Sequence, residues 1–161
     1  MKNMEHKPLF DHEKLDVYCL ELEFVGWVTD FFDDIASSAV RYRGELLEQL
    51  DRASLSALLN TAEGNGKRRG PQRAKFFDDA RGSVIECAAS LDASVAKRFV
   101  SNGRVRSGKE MLARIAAMLT RLVDLFDGRR ASSNSISNSN SSSTRRGRKS
   151  RELDSEQIRS S

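Results

Sequence analysis

The sequence predicts an all-α protein folded as an antiparallel, up-down four-helix bundle. Two observations support this fold class. Four stretches carry apolar residues at the spacings of amphipathic helices, and glycine, proline and asparagine mark short connections between them. The 161 residues are enough for one domain with a buried core. We therefore predict a flexible arm over residues 1–10, the bundle over residues 11–128 and a disordered tail over residues 129–161.

Helix one is predicted to run from Asp11, a candidate N-cap, to about Ser37. Two apolar stripes follow it. The first stripe consists of Leu15, Tyr18, Leu22, Val25 and Phe32, and the second of Val17, Leu20, Phe24, Val28, Phe31 and Ile35. Such a helix is covered on two sides, so it lies deep in its own domain or meets another subunit. We expect a homo-oligomer to bury the second stripe, so that Phe24→Glu or Phe31→Glu would dissociate it.

Helix two is predicted from Gly44 to about Glu63, and its small alanine, serine and threonine residues favour close helix packing over a polar groove. Gly64 is a candidate C′ residue, because glycine adopts the left-handed conformation at little steric cost. Asn65 and Gly66 would continue the turn. Pro71 suits the first turn of the next helix, where its missing N–H has no intrahelical partner.

Helix three is predicted from about Pro71 to Phe99. Gly82 lies in its interior, where glycine costs about 1 kcal/mol relative to alanine, and this cost suggests a close contact. Gly82 and Glu86 share a side away from the apolar stripe, facing solvent or a neighbouring subunit. We expect Asn102-Gly103 to end helix three, and Ser107-Gly108-Lys109-Glu110 to form the capping box of helix four, whose pattern stops at Gly128.

Charge is unevenly placed along the chain. Residues 128–161 hold eight Lys and Arg against three acids, whereas residues 1–127 hold 19 against 20. Residues 132–143 are eight Ser, three Asn and one Ile, a composition that buries too little apolar surface to order the chain. In the body, five cations follow helix two: Lys67, Arg68, Arg69, Arg73 and Lys75. They provide a partner for Glu63, which lies unfavourably at the negative end of a helix, or contact an external anion.

Several functions are disfavoured by the composition. No run approaches the roughly 20 apolar residues of a membrane span, so we expect a cytoplasmic protein without membrane contact. His6 and His12 are the only histidines and both lie near the N-terminus, which disfavours catalytic triads. Cys19 and Cys87 lie in helical patterns and are predicted to be reduced, partly buried thiols. We expect no enzyme activity, cofactor or metal.

Three segments together resemble a known family. They are Arg52–Ser56, Asn60–Lys67 and Phe76–Cys87, and they contain Asn-x-Ala-Glu-Gly and Ala-Arg-Gly-Ser-x-x-Glu. The motif residues are Asn60, Glu63, Gly64, Arg81, Gly82, Ser83 and Glu86. Over about residues 9–127 the chain resembles the bacterial four-helix bundle proteins encoded by intervening sequences of large-subunit (23S) ribosomal RNA genes. It departs from the usual family pattern at Thr61, where Ile is common, and at Ala57-Leu58, where Ile-Pro is frequent.

This resemblance implies a bundle that assembles into a ring, typically a homopentamer. A related group, the accessory proteins of diversity-generating retroelements, binds nucleic acid and a reverse transcriptase through a basic ring. Two functions follow as hypotheses: a non-catalytic module that binds nucleic acid, RNA in particular, or a protein-protein scaffold without nucleic-acid contact. The predicted nucleic-acid site comprises Lys67, Arg68, Arg69, Arg73 and Lys75, with the tail cations Arg145, Arg146, Arg148, Lys149 and Arg151 as an auxiliary. Glu63 and Glu86 would form a carboxylate pair only if they approach each other.

Overall fold

The computed structural model describes residues 7–36 and 44–128, and within these ranges the protein has four α-helices and no strand. The all-α prediction is therefore confirmed. The helices are α1 (Asp16–Ala36), α2 (Gly44–Gly66), α3 (Gly70–Ala96) and α4 (Asn102–Phe126), and a 3₁₀ turn, Asp11–Lys14, precedes α1. No helix in the described part of the chain is both long and apolar enough to cross a membrane.

Each helix packs against its neighbours in chain order, and α4 packs back against α1. Side-chain contacts pair an early residue of one helix with a late residue of the next, so these neighbours run antiparallel. Between α2 and α3 the pairs are Gln49 with Glu86 and Ser56 with Ser83, between α3 and α4 they are Asp92 with Lys109 and Phe77 with Phe126, and between α1 and α4 they are Trp27 with Ser107 and Asp34 with Arg104.

One of the two apolar stripes of α1 forms the core. All six residues of the second stripe, including Phe24 and Phe31, are at most 5% exposed and pack inside the bundle. The first stripe is the outer one, and its Leu22 is 47% exposed. The prediction that another subunit covers the second stripe is therefore wrong. Phe24→Glu and Phe31→Glu would break the core, and their effect would not report on assembly.

The start of helix one also differs from the prediction. Asp11 belongs to the 3₁₀ turn, and α1 begins only at Asp16 because the backbone of Leu15 is extended between them. Glu13 stabilises the turn by accepting hydrogen bonds from the amides of Leu9 and Phe10, at 2.6 and 3.0 Å. The predicted end of the helix at Ser37, and residues 1–6 of the arm predicted over residues 1–10, lie outside the described residues.

Gly64 has a different role from the predicted helix stop. It lies inside α2, which continues to Gly66, and it is buried in helical conformation. A Cβ at this position would lie 3.0 Å from the Cβ of Phe76 and 3.1 Å from the ring of Phe77. Glycine is therefore present because α3 approaches α2 too closely for a side chain. Pro71, in contrast, lies in the first turn of α3 as predicted.

The predicted capping box of helix four is also wrong, because two of its residues contact another helix. Helix three ends at Ala96, α4 begins at Asn102 after the N-cap Ser101, and Ser107 therefore lies within the helix. The hydroxyl of Ser107 accepts a hydrogen bond from the indole N–H of Trp27 at 3.0 Å. A Cβ at Gly108 would lie 2.5 Å from the same indole ring. These two residues receive Trp27 on α4 instead of starting the helix.

Candidate functional site

The connection between α2 and α3 is the most basic part of the described chain, and we call Lys67, Arg68 and Arg69 the basic loop. Arg68 and Arg69 are exposed, and neither makes an ion pair with the residues that the structure describes. Arg69 is the N-cap of α3, but its side chain makes no capping hydrogen bond, and no acid lies in the first turn. The free N–H groups and the positive dipole end of α3 therefore add to the charge of the two arginines.

Two lysines of the predicted site are already paired with acids. The Nζ of Lys67 lies 2.7 Å from Oε1 of Glu63, so Lys67 balances the negative charge of this acid near the end of α2. Lys75 lies 2.6 Å from Asp79 on α3. Both are partly exposed pairs four residues apart on the helix surface, and such pairs contribute only about 0.3–0.5 kcal/mol. The lysines can therefore leave these partners for a stronger anion at little cost.

Arg73 is tied into the fold more firmly than the other four cations. Its guanidinium donates to Oδ1 of Asn65 at 2.7 Å and lies 4.1 Å from the ring centre of Phe126. Its Nε is buried and has no hydrogen-bond partner in the described structure. Gly70 approaches the same point, because a Cβ there would lie 3.0 Å from the carbonyl oxygen of Phe126. Arg73 thus links the ends of α2, α3 and α4, and its guanidinium is already engaged by these contacts.

Phe76 belongs to the same surface, and the sequence analysis did not identify it. The Nζ atoms of Lys67 and Lys75 lie 4.5 and 5.6 Å from its ring centre. The ring is half-buried, whereas Phe77 beside it is fully buried in the core. The available signal was its position directly after Lys75 and nine residues after Lys67. The structure thus adds an aromatic ring to the cationic surface.

The family-motif residues form a seam between α2 and α3. The amide of Asn60 donates to the carbonyl oxygen of Ser56 at 2.9 Å, and the Ser56 hydroxyl hydrogen-bonds the Ser83 hydroxyl at 2.9 Å. Glu86 accepts from Gln49 at 3.1 Å. The bonds of Ser83 and Glu86 connect the two helices and fix the register of α2 against α3, whereas Asn60 holds Ser56 within α2.

Gly82 and Arg81 lie on the outer side of this seam. Arg81 pairs with Asp78 at 2.7 Å on the same helix. Gly82 is exposed, and a Cβ there would meet no atom within 4 Å. The close contact expected at Gly82 is therefore absent among the described residues, and Glu86 is exposed beside it as predicted.

Glu63 and Glu86 do not form a carboxylate pair in the structure. Glu63 contacts Lys67, whereas Glu86 contacts Gln49, which is 14 residues before Glu63, or about 21 Å along α2. The described residues contain no group of three or more His, Cys, Asp or Glu that could hold a metal ion. Cys19 and Cys87 are free thiols. Cys19 is exposed, and burial raises the pKa of Cys87 to about 12, which leaves it an inert thiol.

A buried acid lies between α1 and α2. Glu21 is 2% exposed, and its Oε1 accepts a hydrogen bond from the hydroxyl of Thr61 at 2.8 Å. Its Oε2 has no partner in the described structure. Burial raises the pKa of Glu21 to about 8, and the Thr61 hydrogen bond opposes the shift only in part. Glu21 was missed, although it follows Val17 by four residues and precedes Phe24 by three, which puts it on the buried stripe.

Three leucines of α1 and α2 are exposed in the described structure, and we call them the leucine strip. Leu22, Leu55 and Leu59 are 47%, 41% and 65% exposed. The hydrogen bond from Thr61 to Glu21 fixes the register of the two helices, so that Leu22 and Leu59 lie near the same level. Contiguous exposed leucines are typical of protein contact surfaces.

The predicted tail cations Arg145, Arg146, Arg148, Lys149 and Arg151 lie outside the described residues. α4 ends at Phe126 beside Gly70, so the end of α4 lies at the same end of the bundle as the basic loop.

Comparison with known proteins gives one family. A family model described as 23S rRNA-intervening sequence protein matches residues 13–121, which are 109 of the 161 residues. No curated protein matches the chain. The matched range begins within the 3₁₀ turn and ends within α4, so it covers α1, α2, α3, most of α4, the basic loop and the seam between α2 and α3.

Proposed function

The chain belongs to the 23S rRNA-intervening sequence protein family, and from that premise we propose that it is a non-catalytic, oligomeric helical bundle that binds nucleic acid, RNA in particular, through its basic loop. We also propose that the protein binds nucleic acid in the cytoplasm. The main support for nucleic-acid binding comes from Arg68 and Arg69. Both are exposed and unpaired in the described structure, and they lie at the start of α3, which has no side-chain cap.

The chemistry of this surface suits phosphate. Arginine binds phosphate oxygens through two parallel N–H donors, and a helix N-terminus supplies further N–H groups to the same anion. Lys67 and Lys75 add two charges that are held only by weak surface pairs. A phosphate group would therefore meet donors from side chains and backbone without displacing a buried interaction.

Assembly of several subunits would place several copies of this weak phosphate-binding site on one particle. We propose that copies of the chain associate through the leucine strip of α1 and α2 into a closed ring, and the family resemblance favours a pentamer. Each ring would present one basic loop per subunit, and linked weak sites give a much higher affinity than one site. Leu59→Glu, a change at a 65% exposed position, should dissociate the ring without unfolding the bundle. Light scattering that reports a monomer for the parent protein at tens of micromolar would contradict this part.

The test of nucleic-acid binding compares two variants with the same net charge. Arg68→Gln with Arg69→Gln removes the two unpaired arginines of the loop, and Arg114→Gln with Arg121→Gln removes two exposed arginines of α4 as the matched control. Each lost phosphate contact lowers the slope of log affinity against log salt by about 0.7–0.9. We expect the loop variant to lose about two contacts and the control none. Equal losses in both variants would mean that the loop has no special role.

A protein-protein scaffold is the second candidate, and the exposed strip of Leu22, Leu55 and Leu59 favours it. In that case the strip contacts a different protein and the basic loop only keeps the surface soluble. Binding assays separate the two functions, because phosphate contacts release counterions and make binding strongly salt-dependent. Absence of salt-dependent RNA binding by the parent protein would leave the scaffold as the better account.

A further inference from the structure

Phe76 is partly buried and does not belong to the core cluster of the described residues. Its neighbour Phe77 is fully buried and supplies the aromatic contact to α4 through Phe126. Phe76 instead points to the side where Lys67 and Lys75 lie, and both ammonium groups are within 6 Å of its ring centre. In such pairs the cation lies over the face of the ring, so the side chains of Lys67 and Lys75 lie over Phe76.

The cover over this ring is easily removed. Lys67 and Lys75 are bound to Glu63 and Asp79 only by surface ion pairs four residues apart. A phosphate that attracts either lysine would uncover the ring face at the same time. The surface therefore holds both parts of a single-strand site, which are cations for the backbone and an aromatic face for a base.

We propose that Phe76 is a stacking platform for one unpaired base, and that Lys67 and Lys75 bind the phosphates on either side of it. This inference rests on the proposed nucleic-acid function and narrows its ligand to single strands, loops or ends. A base inside a duplex is stacked between its neighbours and cannot reach a ring on the side of a helix bundle. An unpaired base exposes its face, and proteins commonly stack such bases on aromatic residues.

A structural role for Phe76 makes a different prediction. The Cβ of Phe76 closes the space above Gly64, where a Cβ would lie 3.0 Å away. Leucine keeps this Cβ and an apolar side chain but has no aromatic face, whereas tryptophan keeps an aromatic face. Phe76→Leu should therefore preserve packing and lose stacking, and Phe76→Trp should preserve stacking.

The test measures binding of the full chain to one labelled RNA oligonucleotide in single-stranded form and as a duplex. We expect the parent protein to prefer the single strand. Phe76→Leu should weaken single-strand binding by about 5- to 100-fold, the loss typical of one stacked base, and leave duplex binding and the salt slope unchanged. Phe76→Trp should bind the single strand within about threefold of the parent. Unchanged single-strand binding by Phe76→Leu, or equal affinity of the parent for both forms, would overturn the inference.

A second measurement avoids any dependence on the fold of a variant. The parent protein is irradiated with single-stranded RNA that carries 5-iodouracil, and the cross-linked residue is found by mass spectrometry. An adduct at Phe76 supports the stacking geometry, and adducts confined to other residues contradict it. If the parent binds neither RNA form in a salt-dependent way, the proposed function itself fails. If it binds both forms equally, only the role of Phe76 fails.

Discussion

Replacement of Glu21 by glutamine tests the buried acid between α1 and α2. Burial raises the pKa of Glu21 from 4.5 to about 8, so the folded protein keeps this carboxyl neutral where the unfolded chain has ionised it. Above pH 4.5 the unfolded state releases the proton and the folded state does not. The free energy of unfolding therefore falls as pH rises, and it levels off near pH 8, where both states are ionised.

The size of the effect follows from the pKa shift. Each pH unit within this window costs about 1.4 kcal/mol, which amounts to about 4 kcal/mol between pH 5 and pH 8 as an upper bound. Glutamine has nearly the same shape and stays neutral at all these pH values. It also keeps an oxygen that accepts the Thr61 hydroxyl. Glu21→Gln should therefore be similar to the parent protein near pH 5 and more stable at pH 8.

Urea denaturation of both proteins at matched concentration and at each pH unit from 5 to 9 measures this difference. Ionisation of the other carboxyls is common to both proteins and cancels in the comparison. Thr61→Val gives a further check. It removes the hydrogen bond that partly opposes the shift, so the levelling should move to higher pH. A difference between parent and Glu21→Gln that stays constant from pH 5 to pH 8 would refute the reasoning.

The glycines give the remaining predictions. Gly64→Ala should destabilise the protein by about 1–3 kcal/mol because α3 leaves no room for a Cβ, whereas Gly82→Ala should stabilise it by about 0.4–1 kcal/mol because a Cβ there meets nothing; urea denaturation of the pair checks both signs. Gly108→Ala should displace Trp27, the single tryptophan, at a similar cost of about 1–3 kcal/mol, and a changed fluorescence maximum would report it. An unchanged spectrum and stability would contradict the close contact.

The number and order of the helices could be predicted from the sequence because each helix buries one face. A buried face requires apolar residues at helical spacing, and this spacing is visible in the sequence. The helix ends were harder to predict. Gly64 and Gly108 were interpreted as a stop and as part of a start, because glycine is common in both places. Gly64 instead leaves room for α3, and Gly108 leaves room for the ring of Trp27. Such contacts depend on residues that are distant in the chain. Local patterns contain no information on it.

The choice between the two stripes of α1 could not be made from periodicity alone. Both stripes have helical spacing, and only the packing of the other helices shows that Phe24 and Phe31 are internal. The burial of Glu21 could have been predicted from the sequence, since its spacing from Val17 and Phe24 puts it on the internal stripe. Its partner is Thr61, and the hydroxyl at this position has a physical reason, because an apolar side chain would leave Glu21 without its hydrogen bond.

For the candidate site, the sequence identified the cations but not their roles. Arg73 is held by Asn65 and the ring of Phe126, which lie eight residues before it and in α4. This arrangement depends on how three helix ends meet. Phe76 was passed over because an aromatic residue in a helix usually belongs to the core, and its outward position appears only in the structure.

The most direct test of the account compares RNA binding, as a function of salt, by the parent protein, by the chain truncated after Gly128 and by the full chain with Lys67, Arg68 and Arg69 replaced by serine. The tail, for which the sequence predicts disorder, is expected to add affinity without imposing a binding geometry. Truncation should therefore weaken binding and lower the salt slope while leaving any preference for one RNA structure intact. The loop variant should lose that preference. If the loop variant binds RNA as the parent does and the truncated chain binds none, the bundle only carries a basic tail, and the basic loop is not the site.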